Sequence, residues 1–163
     1  GEWEIASGAL QASLDLTRRV RTGLSYEAAI LAFLADARIE AGDLDGARER
    51  ADEAVAVARR RQTAVYEIVA LLARARVRLA TDGALPAVEH DLDDATAAVE
   101  QTTARGYLPA IHVERARLAA LRGDARERER HLREAHRLFV DMGATPRAEC
   151  VAAEMERASG LVS

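Results

Sequence analysis

Residues 42–58 read GDLDGARERADEAVAVA, and Leu44, Ala47, Ala51, Ala54 and Ala58 fall there at i, i+3, i+7, i+10 and i+14. That spacing lays five apolar side chains along one stripe of an α-helix. The same steps return one repeat later at Leu85, Val88, Leu92, Ala95 and Val99. They return a second time at Ala125, Arg128, Leu132, Ala135 and Phe139. A turn opens each run: Gly42-Asp43, Asp82-Gly83 and Gly123-Asp124. One stripe shared by three helices implies a repeat of helical hairpins, each unit burying the same face against its neighbours.

Composition agrees. Of the 163 residues 49% are hydrophobic but only 4% aromatic, and alanine supplies about a fifth of the chain. Alanine has the best helix propensity and lets helix backbones approach closely, whereas a sheet needs β-branched runs that are missing here. The expectation is an all-α fold. All 23 basic residues are arginine, which fits a genome rich in G and C. The net charge is −4, and acids alternate with bases, as in Arg126-Glu127-Arg128-Glu129-Arg130. A nucleic-acid surface needs positive charge concentrated on one face, so nucleic acid is not an expected partner. Glu129 and Arg133 form a favourably oriented i, i+4 pair on a solvated face. No apolar run is long enough for a membrane span, and no basic-then-apolar leader opens the chain. A single cysteine, Cys150, excludes an internal disulfide, fits a reducing, cytoplasmic setting and reads as a small buried hydrophobe.

Eight helices are expected. They run over 3–21, 25–41, 44–61, 63–81, 85–105, 108–122, 125–142 and from Thr145-Pro146 to about Gly160. Ser25 reads as an N-cap, Gly42, Gly106 and Gly143 as helix stops, and Pro86 and Pro109 as first-turn prolines. Short connections make consecutive helices antiparallel neighbours. The second helix is apolar nearly all round, from Ala28 through Phe33 to Ala35, which predicts burial on more than one side. No linker divides the chain, so it reads as one repeat domain, 1–163. Both ends fall inside the array, which suggests a piece of a longer polypeptide.

The second helix of each pair, with Ala47, Ala51, Ala54, then Val88, Leu92, Ala95, then Arg128, Leu132, Ala135, resembles the tetratricopeptide repeat. The usual Gly and Tyr of the first helix are replaced by Ala35 and Arg38, Arg76 and Leu79, and Ala116 and Ala119. The unit is also longer, about forty residues against about thirty-four. Residues 114–155, with Arg122-Gly123-Asp124, the run Leu132 to Phe139 and Met142-Gly143-Ala144-Thr145-Pro146-Arg147, resemble the C-terminal repeats of large bacterial regulators. Those proteins join an ATPase module to tetratricopeptide-like repeats, with a nucleotide cyclase or a LuxR-type DNA-binding domain elsewhere. The resemblance implies a right-handed solenoid serving as a non-catalytic interaction or sensor arm for a protein or peptide.

Chemistry-bearing patterns are sparse. His131 and His136 are five apart, a poor spacing for a shared metal on one helix, and His112 lies on another helix. His90 stands among Glu89, Asp91, Asp93 and Asp94, read as a solvated face without a calcium loop. No nucleophile elbow, phosphate-binding glycine loop or Cys-x-x-Cys occurs, so neither an enzyme nor a cofactor is expected. Arg59-Arg60-Arg61 complement a helix dipole. If the first helices of the pairs line a groove, Asp36, Glu40, Arg74, Arg78 and Arg117 are the candidates to meet a partner, with inter-helix salt bridges the alternative. Tyr26, Tyr66 and Tyr107 recur one per unit, in a repeated packing role. Two competing readings are a sensor of a small molecule or peptide and a self-association module. The second would be a homodimer through Leu10, Leu14 and Leu16 or through Val151 and Met155.

Overall fold

The turns that open the repeats are built alike. Gly42 and Gly123 have φ of 78° and 72°, where a Cβ is disfavoured. At each, the next residue's N–H closes the preceding helix: Asp43 N donates to Arg38 O, and Asp124 N to Ala119 O, both at 2.9 Å. The Asp43 and Asp124 carboxylates then cap the following helix, accepting from Gly46 N at 3.0 Å and Glu127 N at 2.9 Å. One Gly-Asp pair thus stops one helix and starts the next. The Asp82-Gly83 turn lies outside the described residues. The computed structural model describes residues 2–21, 23–81 and 84–160.

Among these residues the chain forms eight α-helices: α1 Glu2–Val20, α2 Glu27–Glu40, α3 Leu44–Arg61, α4 Ala64–Ala80, α5 Leu85–Thr102, α6 Leu108–Leu121, α7 Ala125–Asp141 and α8 Thr145–Gly160. No strand occurs among the described residues. Two boundaries depart from expectation. Ser25 lies inside a single 3-10 turn, Leu24–Tyr26, and caps nothing; α2 begins only at Glu27. α5 ends at Thr102 rather than Arg105 because Thr103 takes a left-handed φ of 56°, and Gly106, the expected stop, falls in a second 3-10 turn.

The helices form two compact units, residues 1–102 and 103–163. In the first, the hairpins α2–α3 and α4–α5 stack so that α2 lies against α4 and α3 against α4, with α1 on α2. Ala47, Ala51, Ala54 and Ala58 are wholly buried, so the stripe legible in the sequence is the packed face of α3. Leu31, Leu34, Ile68, Leu71 and Leu92 fill the space the alanines leave. In the second unit α7 packs on both α6 and α8, around Ala116, Leu132, Ala135, Phe139, Ala148 and Val151.

A repeated arginine clamp ties the first unit together. Arg18, near the end of α1, donates from Nε to Glu27 at 2.8 Å and from Nη2 to Glu53. Arg59, one repeat further along, uses the same two nitrogens to reach Glu67 at 2.7 Å and Asp94 at 2.8 Å. Each clamp joins three consecutive helices. Burial alone would raise the Glu27 pKa, but the Arg18 and Arg61 guanidinium groups outweigh it and hold the carboxyl below its ordinary range. Arg59 therefore does more than complement a helix dipole. The next positions in this register are Glu100 and Leu108, an acid and an apolar residue that cannot form the clamp.

Several local expectations are corrected. Cys150 is exposed, on the outer side of α8, while Ala148 and Val151 take the buried side. Phe33 is 51% exposed although every immediate neighbour in α2 is apolar. Leu14 is fully buried and Val151 nearly so, so neither is free for a homodimer contact; Leu16 is exposed. Asp91 belongs to no solvated face: it has no exposed surface.

Candidate functional site: an aromatic face on α2 and α4

The side-by-side packing of α2 and α4 sets residues one repeat apart against each other, and two contacts fix this register. The Tyr26 and Tyr66 rings lie 5.5 Å apart, tilted by 55°. Two to three turns further along, Arg76 Nη1 donates to Asp36 Oδ2 at 2.7 Å, while Asp36 Oδ1 is buried without a hydrogen-bond partner. Ile30, Phe33 and Ala37 follow along α2 at four, seven and eleven residues from Tyr26, which closes the 3-10 turn just before the helix. The stripe between the tyrosine pair and the ion pair therefore carries the exposed Phe33, flanked by the half-buried Ile30. Tyr26 is itself 57% exposed. Two aromatic side chains left in water on one helix face, in a chain with so few aromatics, form a surface whose burial is favourable.

Of the residues expected at a groove, Asp36 sits on this face and Glu40 is exposed one turn beyond it. Arg74 and Arg78 are turned away, toward α5. Both converge on Asp91: Arg74 Nε and Nη2 donate at 3.2 and 2.6 Å, and Arg78 Nη1 reaches Asp91 Oδ2 and, at 2.9 Å, the Ala87 carbonyl. The inter-helix salt bridge is thus the outcome for this pair. A carboxylate without exposed surface is tolerable because two guanidinium groups saturate it. Arg117, in the second unit, donates to both oxygens of the buried Glu114 at 3.1 and 3.3 Å. The tyrosine repeat holds for Tyr26 and Tyr66; Tyr107 lies in the second unit.

That unit has a groove of its own. It is about 600 Å³ in volume and lies where the start of α7 meets the end of α8, over Leu132, Met155 and Ala120 with Arg128, Glu129 and Arg133 at the rim. In the same unit, His112 on α6 and His131 on α7 meet with Nδ1 atoms 2.8 Å apart. Desolvation, with the neighbouring His131, lowers the His112 pKa to about 4, and burial lowers that of His131 as well. Spacing from the turn did not single out this pair: His112 lies eleven residues before Gly123 and His131 seven after Asp124, an offset of about one helical turn from equal distances. No family of proteins matches the chain, and no curated protein is significantly similar to it.

Proposed function

We propose that this chain is a non-catalytic protein-interaction arm of a multidomain bacterial signalling regulator, working in the cytoplasm, and that the face of α2 and α4 takes the partner. The observation that carries this is the exposure of Phe33 and Tyr26 on a rigid two-helix platform. Rigid aromatic side chains gain the most on burial for the least lost rotamer freedom, which is why they anchor protein interfaces. The Asp36–Arg76 pair at one end of the patch and the exposed Glu40 beyond it supply polar groups that fix the direction of a bound segment. The parent regulator is inferred from the likeness of residues 114–155 to the C-terminal repeats described above. The test is selection of peptides from a displayed library, followed by affinity measurement on Phe33→Glu. Binding should fall by about tenfold or more, as for an anchor residue, with the melting temperature lowered only slightly because about half of Phe33 is already in water. Undiminished binding by Phe33→Glu would defeat the assignment of the face.

A second reading, small-ligand sensing, is favoured by the groove of the second unit. Its volume lies within the range of about 300–1,000 Å³ usual for ligand pockets. The apolar Leu132 and Met155 beside the ion-paired Arg128 and Arg133 suit a small amphipathic molecule.

A further inference from the structure

We propose that His112 and His131 form an open chelating site for a divalent transition-metal ion of the zinc type, bound through the two Nδ1 atoms and completed by water. The geometry is already close. The facing nitrogens are 2.8 Å apart across the α6–α7 hairpin, and two bonds of about 2.0–2.1 Å at a tetrahedral angle require roughly 3.3 Å between them. The rings must separate by about half an ångström and each turn by about 35°, so that both lone pairs meet at one ion instead of facing each other, a side-chain adjustment about χ1 and χ2. The pair is also held from behind. His131 Nε2 lies 3.1 Å from Glu127 Oε1, the carboxylate–imidazole arrangement that orients a metal-binding histidine and leaves its other nitrogen with a lone pair. Arg130 Nη2 stands 3.2 Å from the same nitrogen, but its closer partner is that Glu127 carboxylate.

The proton count closes without an external acid or base. With Nε2–H of His131 given to Glu127, the contact between the rings is a donation from His112 Nδ1–H to His131 Nδ1. When the ion enters, the His112 proton moves through solvent from Nδ1 to Nε2, so each imidazole stays neutral. His112 is only half buried, which gives solvent that access. The charges around the pair nearly balance: Glu127, Glu134 and Arg130 from α7 and Arg115 from α6. Glu134, one turn from His131, stays paired with Arg137 and contributes only its charge near His112. Among the described residues no three His, Cys, Asp or Glu side chains are already grouped around a common point, so the site is an open one.

The experiment is calorimetric titration with zinc chloride of the whole chain carrying Cys150→Ser, which removes the exposed thiol. One ion per chain with micromolar affinity is expected, lowered at least about tenfold in His112→Ala and in His131→Ala and kept in the controls His90→Ala, at an exposed position, and His136→Ala, at a half-buried one. Should either core-facing variant fold poorly, imidazole nitrogen shifts of the unsubstituted pair give the same answer: zinc must move the Nδ1 resonances of His112 and His131. No saturable binding up to millimolar zinc, retention of affinity in both alanine variants, or unmoved Nδ1 resonances would overturn the proposal.

Discussion

Asp91 shows how much one buried carboxylate can organise. Its two arginine partners come from successive turns of α4. Replacing Asp91 with Ala leaves Arg74 and Arg78 facing a partly desolvated gap, and chemical denaturation should show a loss of about 3 kcal/mol. Arg74 and Arg78 were legible as a same-face pair from their spacing of four; that they face α5 was not, because spacing says nothing of which neighbour a face meets. Phe33 was hidden for the opposite reason. A helix apolar all round carries no pattern that marks its outer side. At the His112–His131 pair the sign of the pH dependence follows from the lowered pKa values. The unfolded chain binds protons near the ordinary histidine value of about 6.5, whereas folded His112 does so only near 4 and burial lowers the His131 value as well. The stability of the second unit should therefore be full above about pH 6.5 and fall as the pH drops toward 4, by about 1–2 kcal/mol after allowance for the half-exposed ring. Melts in chelator-containing buffers across that range would check it, and His112→Phe should flatten the slope.

The elements were the best-read part of the molecule. The same helical steps three times over, apolar at every position but Arg128, leave little freedom in where α3, α5 and α7 lie, and the Gly-Asp turns mark where helices change direction. The two misplaced boundaries share a cause: a single 3-10 turn precedes both α2 and α6, and Ser25 and Gly106 lie within those turns. Neither turn has a periodicity of its own to betray it. The caps carry a direct energetic statement. Asp124→Ala removes the acceptor for Glu127 N and should cost about 1 kcal/mol in urea denaturation, whereas Asp124→Asn should cost far less. The arginine clamps are partly exposed, so Arg59→Ala should cost only about 0.5–1 kcal/mol for its two ion pairs. Their value lies in register: the same nitrogens reach the same positions in two successive repeats of the first unit.

For the whole molecule, the clamp explains why cohesion is uneven along the chain. Arg18 and Arg59 tie α1 to α5 into one body, and the succession stops at Glu100 and Leu108, where the chain divides into its two units. Calorimetry should accordingly resolve two unfolding transitions rather than one. The interaction reading rests on the first of these units and is best tested there, in the intact chain. A peptide taken from library selection is titrated into isotope-labelled protein, and the backbone resonances that shift are mapped. Shifts are expected to centre on Tyr26, Ile30, Phe33 and Tyr66, with little change in α5 to α8. Shifts confined to the groove between α7 and α8, or spread evenly over both units, would contradict the interaction reading.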